Sequence, residues 1–232
     1  MRQAYAPFSR DAAVAVALRE WRAWGSPVND DPPGSRPPLP DSLKPERQEG
    51  MWQRVGEYWW VGTDPNRPEA AWTGRHDANG TEFAGSRDAE FAWSAAFMAY
   101  VMYSAGAGTR FTPTASHATY INAAVFNPAD PVMRAHRIGE YAPQPGDLIC
   151  YGRGSSRTLR LETLSGASFP SHCDIVVRTQ PGGIAVIGGN VDDAVTMKNI
   201  PTGPNGLIGG PDGTPIDARY PWFVVLQVLY DR

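Results

Sequence analysis

The histidines are the residues of this sequence best suited to acid–base chemistry. There are four, and no two have the i, i+4 spacing of a helical metal site, so we expect neither a metal nor another cofactor. His172 is the informative one, because it lies in a run typical of a β-strand, residues 171–177, shortly after a strand signal at 145–148. An imidazole at the mouth of a small sheet could act as a general base or acid.

Two neighbours of His172 in the predicted strand bear on its chemistry. Asp174 is two positions away, hence on the same face, where it could orient the imidazole or form a structural hydrogen bond. Cys173 points to the opposite face, which argues against a thiol nucleophile paired with His172. Cys150 and Cys173 are the only cysteines, too few for a zinc site. We expect buried free thiols, with a cross-strand disulfide as the alternative in an oxidising compartment.

Composition limits the class of protein. A chain of 232 residues with 42% hydrophobic residues can bury the core of one domain, which we expect to span 1–232. The net charge of −3 argues against nucleic-acid binding. No apolar run approaches the roughly 20 residues of a membrane span. Residues 1–8 show no Sec-type signal, so we expect synthesis in the cytoplasm, with export by another route left open.

Three helices are predicted in the first half of the chain. One runs from Ser9 to Trp24, with Ser9 as its cap, a second covers about 88–105, and a third starts at Thr112 and ends near 125. Residues 26–50 contain seven prolines and should form a loop. The aromatic-rich stretch 51–75 could stack on sugar rings or fill the core, and we favour the core.

The second half has strand character. Short runs rich in Val, Ile and aromatic residues lie at 147–151, 173–178, 184–187 and 222–230. The turn signal at 178–183 indicates an antiparallel hairpin. Residues 201–221, with five prolines and five glycines, should form a long surface loop. Helices followed by strands predict an α+β fold with a small antiparallel sheet.

Six stretches of the chain together resemble a bacterial family known as domain of unknown function 2272. They are Val55-Gly56-Glu57-Tyr58-Trp59, Trp93-Ser94-Ala95-Ala96-Phe97-Met98-Ala99-Tyr100-Val101, His117-Ala118-Thr119-Tyr120-Ile121, Pro145-Gly146-Asp147-Leu148-Ile149, His172-Cys173-Asp174-Ile175-Val176 and Gly188-Gly189-Asn190-Val191. The likeness spans most of the chain. That family in turn looks like a distant branch of the NlpC-like and CHAP cell-wall peptidases, which are papain-like in fold.

The resemblance implies roles for particular residues. In those peptidases a cysteine opens a helix, and Ser94 falls on its position here. His172 falls on the base and Asn190 on the polar residue that orients the imidazole. Trp93, His117 and Tyr120 fall where substrate contacts are expected, although a hydrogen-bonded structural role for His117 is an equal alternative.

A serine in place of the cysteine changes the chemistry. A thiol beside a histidine can rest as a thiolate, whereas Ser94 would give up its proton only as it attacks. A carboxylate behind the imidazole then helps most, because it steadies the positive charge. Asn190 could orient the ring but could not neutralise it, so Asp174, Asp192 and Asp193 are alternative orienting groups.

The resemblance implies a hydrolase that cleaves an amide bond in peptidoglycan or a related peptide. Such a protein could be an antibacterial effector with an immunity protein as its partner, acting in the periplasm or on a target cell. A catalytically inactive descendant that binds glycan or peptide is the alternative. A Ser–His esterase or acyl transferase is a third.

Overall fold

The computed structural model describes residues 7–231, and within them helices precede strands. The four α-helices are α1 (Arg10–Ala23), α2 (Met51–Gly62), α3 (Ser94–Met102) and α4 (His117–Phe126). The six strands are β1 (Met133–His136), β2 (Leu148–Gly152), β3 (Ser171–Gln180), β4 (Gly183–Val191), β5 (Ala194–Pro201) and β6 (Trp222–Val228). The predicted α+β class is confirmed.

All six strands form one antiparallel sheet in the order β1-β6-β2-β3-β4-β5. The hairpin predicted at 178–183 is confirmed, since Gln180 pairs with Gly183 across the turn. Both edge strands, β1 and β5, were missing from the prediction. Each carries polar side chains among its apolar ones, which weakens the strand signal at sheet edges.

The two faces of the sheet are covered differently. The helices pack on one face, against side chains such as Ile175 and Leu226. Loops cover the other face, where Ile138 and Ile208 pack on Val176 and Val225. Residues 202–221 contain no helix or strand, as expected of the predicted loop.

The first predicted helix is confirmed, and its neighbours are shorter than predicted. Ser9 Oγ accepts from the Ala12 N–H at 3.3 Å and caps α1. The predicted helix at 88–105 begins only at Ser94, because Ala92 is extended between α3 and a preceding 3-10 turn. The helix predicted from Thr112 begins at His117, because Ser116 is also extended.

The aromatic-rich stretch contains a helix, α2, that the sequence did not indicate. Trp59 is fully buried in the core, as favoured, whereas the next residue, Trp60, is 65% exposed. No helix among residues 7–231 is long and apolar enough to span a membrane. We expect no Sec signal in residues 1–8, and residues 1–6 of that stretch lie outside the described residues.

The expectation of free thiols was wrong. Cys150 and Cys173 form a disulfide, and they occupy directly opposed positions of β2 and β3 with Cα atoms 4.1 Å apart. Directly opposed residues of an antiparallel pair are close enough for this bond, which the separate strand signals could not establish. The bond joins the strand that carries His172 to its neighbour.

Candidate active site

Ser94 is the first residue of α3, and its hydroxyl is held by a histidine. Ser94 Oγ lies 2.7 Å from His117 Nε2, so the partner of Ser94 is on α4 and differs from the expected His172. The backbone N–H groups of the first turn of α3 have no intrahelical acceptor and point toward this end of the helix. Ser94 is 5% exposed. A hydroxyl, an imidazole and a helix N-terminus therefore meet at one place.

Tyr120 fixes the tautomer of His117. The two residues are three apart on α4, and the Tyr120 hydroxyl bonds to His117 Nδ1. We assign the Tyr120 hydroxyl as the donor to Nδ1, the tautomer that satisfies the more deeply buried of the two hydroxyls bonded to His117. His117 then carries its own proton on Nε2 and donates it to Ser94. The proton of Ser94 is left free for another acceptor.

A second buried network starts at His172 on β3. His172 Nε2 lies 3.1 Å from Asp174 Oδ1 on the same face of the strand. Lys198 Nζ on β5 bonds to both oxygens of Asp174, at 2.7 and 2.9 Å. Gly188 on β4 makes room for this pair, because a Cβ there would lie 2.0 Å from Asp174 Oδ1. A glycine at this position is a packing requirement of the network.

The charges of this network set its protonation. Burial favours a neutral Asp174, but the charges of Lys198 and His172 outweigh it and lower the pKa of the carboxyl. Burial, together with Lys198, lowers the pKa of His172 to about 4 despite the opposing effect of Asp174. At neutral pH His172 is therefore uncharged and donates Nε2–H to the carboxylate. Its Nδ1 keeps a lone pair and can accept a proton.

The two networks adjoin through their imidazoles. The ring centroids of His117 and His172 are 5.2 Å apart. Burial first, and then the proximity of His172, lowers the pKa of His117 well below its usual value, so both rings are neutral at pH 7. The result is a hydroxyl that accepts from one imidazole beside a second imidazole with an available lone pair. This combination can support nucleophilic attack with general-base assistance.

Asn190 bonds to Glu46 and does not orient the imidazole of His172. Asn190 Nδ2 donates to Glu46 Oε2 at 3.2 Å, and the same oxygen accepts from Trp93 Nε1 at 2.6 Å. Asp174 bonds to His172 instead. Trp93 and Tyr120 are each 1% exposed and belong to the core beneath the site, so neither presents a surface to substrate here.

These residues fall within a region that matches a protein family. The family model described as "Uncharacterized protein conserved in bacteria (DUF2272)" matches residues 46–228. The chain belongs to this DUF2272 family. No curated protein and no solved structure matches the chain.

A cleft opens beside the second network of this DUF2272 protein. Its volume is about 230 Å³, and its floor includes His172, Lys198 and Tyr151. Ser94 and His117 are not among the residues that line it. Asp192 lies on the rim with Asn190, and Asp192 bonds to Asn29 at 2.5 Å, so neither Asp192 nor Asn190 faces the imidazole as its partner.

Three carboxylates form the one group among residues 7–231 with metal-ligand spacing. Oxygen atoms of Glu46, Asp88 and Asp193 lie within 4.8 Å of one another. Asp88 is paired with Lys44 and with Arg47, which neutralise it. Burial, and then the charges of Asp193 and Asp88, raise the pKa of Glu46 to about 7. The group is an ion-pair network in this structure.

Sequence reasoning missed two contributors to the site, Lys198 and Tyr151, and gave a third, His117, another role. Lys198 lies in β5, a strand that was not predicted, so its contact with Asp174 could not be anticipated. Tyr151 opposes His172 in the β2–β3 register, and its ring centroid is 5.3 Å from that of His172. His117 was expected as a substrate contact and instead holds Ser94. The signal available for Lys198 was weak, because Thr196 and Asn199 are also polar in the run 194–200.

Proposed function

We propose that this protein is a hydrolase of the papain-like cell-wall class that cleaves an amide bond in peptidoglycan or a related peptide. Ser94 is the nucleophile, His172 the general base and acid, and Asp174 the group that orients His172. The observation that carries the proposal is the Ser94–His117 hydrogen bond of 2.7 Å next to the His172–Asp174 pair. This arrangement supports a serine mechanism because a carboxylate stands behind the base.

The reaction follows from the protonation argued above. Ser94 Oγ bonds to the carbonyl carbon of the substrate as its proton passes to His172 Nδ1. The charge that develops on the carbonyl oxygen is stabilised by backbone N–H groups at the start of α3. His172 then protonates the departing amine as the C–N bond breaks. A water molecule next attacks the acyl ester and gives a proton to His172, which returns it to Ser94 Oγ as the ester bond breaks. His117 holds Ser94 Oγ in position by donating Nε2–H to it.

The disulfide supports a site of action outside the cytoplasm. Disulfides persist in oxidising compartments such as the periplasm, which is where the cell wall lies. The Cys150–Cys173 bond therefore favours export, and an exported cell-wall hydrolase directed at rival bacteria would need an immunity protein in the producing cell. That partner, like the substrate, is part of the proposal.

Purified sacculi test the activity. The wild-type protein should release soluble fragments with new amino termini, and Ser94→Ala and His172→Ala should each reduce release by about 10³-fold or more. His136→Ala is a matched control, because His136 lies on the distant edge strand β1, where it bonds to Gln227 of β6. Undiminished release by Ser94→Ala, with circular dichroism unchanged, would refute the role of Ser94.

One observation favours a second function, which is binding without turnover. Ser94 does not line the cleft, whereas Tyr151 and Tyr220 do and could contact a ligand. On this alternative the wild-type protein co-sediments with sacculi and releases no fragments. A Ser94→Cys variant that gains hydrolysis would then identify a decayed active site.

A further inference from the structure

The cleft beside His172 is bounded by segments that carry unpaired positive charge. Arg153 follows β2 directly and Arg157 lies four residues later, after the 3-10 turn Gly154–Ser156. Both side chains line the cleft, both are exposed, and neither forms a hydrogen bond or ion pair with any residue between 7 and 231. Two arginines without a bonded acid among residues 7–231 thus line the cleft, and Arg157 also borders the neighbouring cavity.

The other charges of the cleft are already engaged. Lys198 Nζ is held by both oxygens of Asp174. Asp192, on the opposite rim, accepts from Asn29 at 2.5 Å and lies 3.6 Å from Arg36. No carboxylate that lines the cleft is therefore paired with either free arginine. In a protein whose net charge is −3, this is a local excess of positive charge.

The backbone of this segment is fixed close to β2. A Cβ on Gly152 would lie 1.8 Å from the Ser156 carbonyl oxygen, so the turn folds tightly back on the strand. Arg153 acts on both imidazoles, since its positive charge contributes to the lowered pKa of His117 and of His172. The arginine is therefore electrostatically coupled to the site.

We propose that the cleft binds a free carboxylate of the substrate through Arg153 and Arg157, so that the protein selects acidic peptides. Guanidinium groups recognise carboxylates by paired hydrogen bonds. A cleft of about 230 Å³ is smaller than the roughly 300–1,000 Å³ that enclose a drug-sized ligand, and so takes one residue of an extended chain. The position of that residue next to the scissile bond rests on the proposed function. The carboxylate preference does not.

The test uses the full chain with Ser94→Ala, which separates binding from chemistry. Calorimetry compares N-acetyl-Ala-Glu with N-acetyl-Ala-Gln, the same peptide without the side-chain charge. The acidic peptide should bind about tenfold more tightly at low salt, and the preference should weaken as salt rises. Adding Arg153→Gln and Arg157→Gln together should abolish it. Arg178→Gln, which changes an exposed arginine at the far end of β3 with no ion pair among residues 7–231, should leave it unchanged.

Several results would overturn the proposal. Equal affinity for the two peptides would do so, as would a preference that survives in the double arginine variant. Displacement of the acidic peptide by inorganic phosphate at a lower concentration would identify a phosphate site instead. A carboxylate preference that disappears only in the arginine variants supports the subsite even if sacculi are never hydrolysed, so the two proposals fail separately.

Discussion

Two buried carboxylates in this protein have similar contacts but different roles. Glu20 on α1 accepts from Arg54 at 2.5 and 2.7 Å, from Tyr58 at 2.7 Å and from Arg19 at 2.9 Å. Asp174 on β3 accepts from Lys198 and from His172. Both carboxylates are fully buried, and both have a lowered pKa because their partners outweigh the effect of burial.

The difference lies in what the partners can still do. The partners of Glu20 are arginines and tyrosines, which stay protonated at neutral pH and, with Tyr100 of α3 at 3.2 Å, join α1 to α2 and α3. One partner of Asp174 is an imidazole that reaches a cleft and keeps a lone pair on its second nitrogen. Glu20, whose partners all stay protonated, joins helices. Asp174 instead orients an imidazole that can accept a proton. The chemistry of the partner, more than the burial of the carboxylate, distinguishes a candidate site from a structural network.

Asp174→Asn is expected to have the largest effect on activity of the changes to these two networks. The amide cannot balance Lys198 or hold His172 in the required tautomer, so hydrolysis should fall by about 10³–10⁴-fold in kcat. Steady-state release of sacculus fragments measures this. Because the change leaves Lys198 uncompensated, Asp174→Asn with Lys198→Met serves as a second variant that removes both charges. Activity near the wild-type level in a folded double variant would contradict the role of Asp174.

Glu20→Gln should act on stability alone. Removing the charge leaves Arg54 poorly compensated, and we expect a loss of about 3–5 kcal/mol in the free energy of unfolding, measured by urea denaturation. Activity below the transition should be unchanged. A fall in kcat without a loss of stability would show that the two networks are not separate.

The disulfide tests how far the sheet depends on a covalent link. Replacing Cys150 and Cys173 together by Ala should lower the free energy of unfolding by about 2–4 kcal/mol. A reductant should lower the stability of the wild-type protein by a similar amount and leave the double variant unaffected. If the reductant destabilises both equally, its effect does not come from this bond.

The two buried imidazoles predict a loss of stability in mild acid. The folded state holds His172 at a pKa of about 4, below the ordinary value near 6.5, so the unfolded chain binds protons first. Stability should fall as pH drops from about 6.5 to 4, by at most about 1.4 kcal/mol per pH unit for each imidazole. Glu46, with its raised pKa of about 7, acts in the opposite direction.

The contribution of Glu46 cancels when His172→Gln is compared with the wild-type protein. Urea denaturation at pH 7, 6 and 5 should give a shallower decline for the variant. Parallel curves would mean that His172 does not titrate differently in the two states.

The smallest effect is expected from Tyr120→Phe. Loss of the hydroxyl frees His117 to place its proton on Nδ1, and kcat should fall by about tenfold, the equivalent of one hydrogen bond. Tyr58→Phe removes a hydroxyl from the Glu20 network and should reduce stability without changing kcat. An unchanged kcat in Tyr120→Phe would argue against the tautomer assigned to His117.

The sequence by itself determined what depends on neighbouring residues. The succession of helices in the first half and strands in the second, the first helix with its Ser9 cap, and the β3–β4 hairpin could be predicted, because periodicity and turn chemistry are local. The shared face of His172 and Asp174 was legible for the same reason, since side chains two apart in a strand point the same way.

Tertiary structure decided the contacts between elements that are distant in the chain. Ser94 meets His117 across 23 residues and Asp174 meets Lys198 across 24, whereas Asn190 is drawn to Glu46, 144 residues away. The disulfide likewise depends on the register of β2 against β3. Such pairings are set by register and by the packing of helices on the sheet, which many residues determine jointly, so no single motif encodes them.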